Sequence, residues 1–122
     1  MHQVLTKHAN AEDRYGSDFT SQLDEGETLS NPVVVVTSGA TKTYDPETGR
    51  FVPVGPWTVV TSEFVSGSPT IAGGLVSGTF KTRAAPGEQA AGTYVVRVEA
   101  DTSGSRTLVD TWELEVTEAA VP

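Results

Sequence analysis

Gly92-Thr93-Tyr94-Val95-Val96-Arg97-Val98-Glu99-Ala100, then Asp101-Thr102-Ser103-Gly104-Ser105, then Arg106-Thr107-Leu108-Val109-Asp110-Thr111-Trp112-Glu113-Leu114-Glu115-Val116-Thr117 is the most regular stretch of the chain. Successive side chains of an extended strand point to opposite faces. Tyr94, Val96, Val98 and Ala100 therefore share one face, and Arg97 and Glu99 lie on the other. In the second half Leu108, Trp112, Leu114 and Val116 face in, with Asp110 interrupting that face near the loop. Glu113, Glu115 and Thr117 are expected to face out. The polar, Gly-containing segment between the halves is a hairpin loop, so the stretch predicts two antiparallel strands with one dry and one wet face.

Working upstream, β-branched runs alternate with turn formers, and no window carries an apolar stripe at helical spacing. Residues 75–82 and the short 70–72 read as strands around Gly73-Gly74, preceded by a turn at Ser66-Gly67-Ser68-Pro69. Residues 57–64 read as another strand, after Gly55-Pro56, which ends the hairpin before it. Tyr44-Asp45-Pro46-Glu47-Thr48-Gly49-Arg50 is the sharpest local signal. Pro presets φ at the second turn position, Asp caps the turn through its side chain, and Gly supplies positive φ. The flanks 41–44 and 51–54 then pair as a hairpin. Residues 29–37 form a strand in which Pro32 marks a beginning, a bulge or an edge. Val33-Val34-Val35-Val36 within it means burial on both faces or a seam against a neighbour. Asp24-Glu25-Gly26 is a turn, and 17–23 a first strand anchored by Phe19. Residues 1–16 are polar, show neither period, and read as an N-terminal arm preceding a single domain over 17–122. About eight short strands with turns at regular spacing predict an all-β, immunoglobulin-like antiparallel β-sandwich with an N-terminal arm.

Composition bounds the function. The chain has 122 residues, 16 acidic and 8 basic, a net charge of −8, and no cysteine. That length suits one domain with its own core. Disulfide frameworks, thiolate metal sites and cysteine nucleophiles are excluded. Both histidines, His2 and His8, lie in the first ten residues, so imidazole chemistry has few places to occur. The acidic balance argues against nucleic acid as the main partner. No apolar run is long enough for a signal-peptide core or a membrane span, so a soluble, membrane-free protein is expected.

The segments Asp18-Phe19-Thr20, Gly26-Glu27-Thr28-Leu29, Ser66-Gly67-Ser68-Pro69-Thr70-Ile71, Gly92-Thr93-Tyr94-Val95-Val96-Arg97-Val98 and Trp112-Glu113-Leu114-Glu115-Val116 occur in a familiar order. In that order the chain resembles the small immunoglobulin-like minor virion proteins of tailed bacteriophages, of fibre-tail adaptor type. The resemblance runs over about residues 7–118 and rests on hydrophobic pattern and turns. It implies a non-enzymatic structural protein that folds in the host cytoplasm and joins the virion, linking tail and fibre components through its arm and sandwich edges. Its partners would be other virion proteins (tail hub, fibre or capsid) and further copies of itself in a symmetric assembly. A capsid decoration protein and a carbohydrate-binding host-recognition module are the alternatives. Gly92-Thr93-Tyr94 also looks like a tyrosine corner, with a core aromatic as the equal reading.

No catalytic, cofactor-binding or metal-binding residue is assigned. A Ser-His-Asp triad lacks a nucleophile elbow. Asp24, Glu25 and Glu27 are first a solvated turn; with Asp101 they would suit calcium only if the loops converge. Gly73-Gly74 and Gly78 lack the Lys and helix N-terminus of a phosphate loop. Glu113, Glu115 and Glu118 make an acidic edge, either blunting an exposed strand or selecting a basic surface. Trp57 and the valine run are contact candidates against an even chance of being core, and Trp112 is core by period. Tyr44 and Phe51 are the only obvious aromatic pair for a sugar, and the arm over 1–16 is the expected docking element.

Overall fold

The hairpin read from residues 92–117 lies at the centre of a five-stranded sheet in the computed structural model, which describes residues 4–117. The strands are β1 Val4–His8, β2 Asp13–Asp18, β3 Leu29–Asp45, β4 Arg50–Val59, β5 Thr70–Ala72, β6 Leu75–Phe80, β7 Gly92–Thr102 and β8 Thr107–Thr117. A 3-10 turn occupies Thr20–Gln22, and a one-turn helix, α1, occupies Thr61–Phe64. One sheet has the order β1-β8-β7-β3-β4 and the other β2-β6-β5. Every pairing is antiparallel except β1 with β8. The protein is all-β, and its two sheets enclose one core.

The predicted alternation places that core. Val34 and Val36 of β3, Tyr94, Val96, Val98 and Ala100 of β7, and Leu108, Trp112, Leu114 and Val116 of β8 are buried. Each of the valines and leucines among them contributes about 1.5–3 kcal/mol when fully removed from water. Aromatic contacts join the layers: the Phe80 ring lies 6.1 Å from Trp112 across the core and stacks on Tyr15 at 4.6 Å. Tyr15 lies across Gly78 of the neighbouring strand, where a Cβ would sit 2.7 Å from the ring. Phe64, delivered by α1, meets Phe80 and Tyr94 edge-on. Tyr94 is a buried core aromatic whose hydroxyl donates to the carbonyl of Ala90 at 2.5 Å.

Several expectations need correction. The stretch read as an arm belongs to the fold: β1 pairs with β8, β2 pairs with β6, and a boundary at 16 would cut β2 in the middle. Lys7, Ala9 and Tyr15 are buried. The reading failed because the residue β1 turns inward next to Leu5 and Ala9 is a lysine. Its ammonium donates to the carbonyl of His8 (3.1 Å), to that of Ala9 (3.5 Å) and to Gln89 Oε1 (2.5 Å), and lies 6.0 Å from the Phe64 ring. Gln89 is in turn held by Glu63 and by the Lys81 carbonyl. Burial pushes the Lys7 amine below its ordinary value, partly opposed by the charge of Asp13. An inward-facing cation on an edge strand also discourages pairing with a stranger.

The first strand lies earlier than 17–23. Asp18 Oδ1 accepts from the backbone and hydroxyl of Thr20 (2.9 and 2.5 Å), which turns the chain into the 3-10 segment, while Phe19 is fully buried as expected. Gly55-Pro56 does not end β4. The ladder passes from Thr41–Val54 to Gly39–Trp57, so a bulge on β4 absorbs the proline. The strand read over 57–64 stops at Val59, and the rest turns through α1 so that Phe64 reaches the core. Pro32 sits in a bulge, between the paired residues Ser30 and Val33. The valine run is neither doubly buried nor a seam along its whole length: Val34 and Val36 point in, Val33 is exposed and Val35 half-buried.

Candidate functional site

Two surfaces stand out. The first is the β3–β4 ribbon. The last residue of β3 paired with β7 is Ser38, so among the described residues the two strands pair from 41 to 54 only with each other. The turn that closes them has the predicted chemistry. Asp45 Oδ1 accepts from the Glu47 N–H (3.0 Å) and Oδ2 from the Thr48 hydroxyl (3.3 Å). The Gly49 N–H donates to the Asp45 carbonyl (2.8 Å), with Gly49 at φ +70°. Tyr44 and Phe51, opposite each other in the register, are exposed and meet edge to face, 5.5 Å between centroids at 66°.

The second is the outer face of the five-stranded sheet. Thr37 pairs with Val59 on one side and Val95 on the other. Val33 pairs with Glu99, which pairs with Val109. Val33, Trp57, Val59 and Val109 are 46%, 46%, 68% and 47% exposed. A groove of about 310 Å³ runs between Thr37, Trp57, Val95 and Arg97. The sequence singled out Trp57 and the valine run. It missed Val59, Val95 and Val109, because only the strand register shows that they continue the same face.

The other sequence candidates come apart. The 24–27 turn and the 103–105 loop do meet, joined by Thr28 and Ser103 in both directions. The Glu27 carboxylate, however, accepts from the Arg106 guanidinium (2.5 Å) and from the Asp24 N–H (2.9 Å). Arg106 first, then the Asp24 N–H and the Thr102 hydroxyl, hold it down to about 2. Asp101 is directed elsewhere, to Thr107 and Asn31. Among the described residues no group of three or more His, Asp or Glu is placed to hold a metal ion. Glu113 does not face water: it is 3% exposed, on a strand flanked by both β1 and β7. Glu115 accepts from the Thr93 hydroxyl at 2.7 Å, and Glu118 lies outside the described residues, as does His2. Nδ1 of His8 accepts from the Asn10 N–H. Among the described residues no helix is long and apolar enough to cross a membrane.

The arrangement offers contact surface. Its exposed apolar and aromatic side chains lie on hydrogen-bonded strands, where burying them against a partner costs less ordering entropy than on an unstructured segment. No family model matches the chain, and no curated protein matches it.

Proposed function

We propose that this chain is a non-enzymatic structural protein of a phage virion, an adaptor that links tail and fibre components. The observation that carries the reading is the pairing of a tightly bonded core with apolar side chains its own fold leaves exposed, on the sheet face and the ribbon tip. Contiguous exposed apolar surface on a soluble domain marks a contact site. The strand order supports an immunoglobulin-type sandwich: β8, β7 and β3 adjoin in one sheet, β2, β6 and β5 in the other, and Tyr94 bonds back to Ala90. Because residues 4–16 are built into the sheets, docking in this reading falls to the ribbon and the sheet face instead of an arm.

Quantitative mass spectrometry of purified virions, against the major capsid protein, tests it. A few copies per particle, matching tail symmetry, is the expected result. Copies in proportion to the capsid lattice make the chain a decoration protein, and absence from the particle overturns both. The carbohydrate-binding alternative has less support. Tyr44 and Phe51 stand at 66° to one another and offer no single flat platform, and the Asp45 carboxylate beside them is occupied by the turn.

A further inference from the structure

We propose that Lys7 and Gln89 form an intramolecular amide bond, the Lys7 amine displacing ammonia from the Gln89 side-chain amide. The bond concerns the chain's own chemistry and stands apart from the virion role. A buried primary amine against a carboxamide is a nucleophile beside an acyl group, and desolvation is one way in which proteins activate lysine. Lys7 is 1% exposed and Gln89 0%, and Nζ lies 2.5 Å from Oε1.

The pair is oriented as well as close. Nε2 of Gln89 donates to the carbonyls of Glu63 (2.7 Å) and Lys81 (2.9 Å). Turning the amide over would lose these bonds and set its nitrogen against the amine, so the carbonyl end stays toward Lys7. The acceptors around Nζ are the carbonyl oxygens of His8, Ala9 and Gln89, none of them a carboxylate. A neutral amine has two N–H groups, enough for His8 and Ala9, and its lone pair is then left on the side of the amide. Burial favours that neutral form, against the charge of Asp13. Gln89 also holds a φ of +49°, in the left-handed region where such a side chain is uncommon. Backbone strain of this kind persists where the surroundings fix a residue for chemistry.

Glu63 supplies the proton path. Its carboxylate accepts from the Gln89 N–H (2.8 Å) while its carbonyl holds the amide nitrogen. In the step the Nζ–Cδ bond forms and the Cδ–Nε2 bond breaks. The Glu63 carboxylate takes one proton from the amine and passes it to the departing nitrogen, which leaves as ammonia. The atoms balance without a further reactant, and the exposed neighbours Gly87 and Ala90 give the ammonia a short way out. The bond ties β1 to the segment before β7, so that the edge strand no longer peels from β8 by loss of hydrogen bonds alone.

Intact-mass spectrometry of the full chain, on purification and after prolonged incubation at neutral pH, tests the proposal. The expected mass falls short of the sequence mass by one ammonia, and proteolysis yields two peptides joined between Lys7 and Gln89. Lys7→Arg keeps a cationic donor but lacks the amine, and is expected to restore the full mass. Glu63→Gln keeps an acceptor for the Gln89 N–H and is expected to slow bond formation at least tenfold; an unchanged rate overturns the part given to Glu63. Should a variant not fold, the joined peptides of the parent chain decide. A parent chain that keeps its full mass overturns the proposal and leaves the pair a hydrogen bond. A deficit that persists in Lys7→Arg overturns it too, since the ammonia then came from another amide.

Discussion

The β7–β8 hairpin and the β3–β4 hairpin belong to one sheet and draw on the same residue types. Their apolar side chains end in opposite places. β7 and β8 pair from Gly92–Val116 to Asp101–Thr107 without a shift, with β3 on one flank and β1 on the other. Their inward side chains fill the core. β3 and β4 pair across a bulge, and past Ser38 no strand among the described residues flanks them. Tyr44, Phe51, Trp57 and Val59 are left exposed. A hairpin flanked on both sides and covered on one face supports the fold; one that outruns its sheet is free for contact. The difference lies in neighbours, since both contain Tyr or Trp among β-branched residues.

Replacing each of the two tryptophans by alanine breaks the comparison most sharply. Trp112→Ala empties core volume between the layers and is expected to lower stability by about 3–5 kcal/mol in chemical denaturation. Trp57→Ala, half-exposed, is expected to change it by less than about 0.5 kcal/mol. Similar losses from both would place Trp57 in the core and remove the contact surface. Next in size is Lys7→Ala, which leaves the buried Gln89 Oε1 without its donor. The expected cost is about 1–3 kcal/mol. Hydrogen exchange should show β1 opening with it, whereas an undisturbed β1 would return residues 4–8 to the status of an arm.

Gly49→Ala forces a Cβ into the left-handed region at the ribbon turn, at a cost of about 1–2 kcal/mol. The effect should appear as frayed amides near the tip by nuclear magnetic resonance, with β7 and β8 amides unmoved. A smaller effect is expected in acid. The Glu27 carboxylate stays ionised down to about 2, against an ordinary 4.5, through Arg106 above all. A carboxylate depressed in the folded state stabilises it fully above pH 4.5, and that contribution is lost as pH falls toward 2. Glu27→Gln should therefore flatten the decline of the melting temperature across that window; an unchanged slope would assign the decline to other carboxylates. Smallest in stability is Tyr44→Ser with Phe51→Ser, expected within about 0.5 kcal/mol of the parent. Its effect should appear in virion incorporation, and a doubly substituted chain that assembles normally would clear the tip of any docking role.

The sequence alone determined what depends on neighbours along the chain. Alternation placed the inward faces of β7 and β8, and Asp45, Pro46 and Gly49 specified a turn whose hydrogen bonds close within six residues. Tyr94 bonds a carbonyl four residues away, so it too was legible. Tertiary structure decided what depends on distant partners. Lys7 looks like a surface residue until Gln89, 82 positions on, accepts a hydrogen bond from it in the interior. Glu113 alternates as an outward residue, yet β1 and β7 flank its strand and it is buried. Glu27 reads as a calcium candidate until Arg106 neutralises it from another hairpin. The contact face needed register as well, because Val33, Trp57, Val59 and Val109 stand on three strands and only their pairing makes them one surface. The physical reason is the range of the forces involved. Backbone sterics and turn hydrogen bonds act over a few residues, whereas burial and charge pairing are set by whatever the folded chain brings alongside.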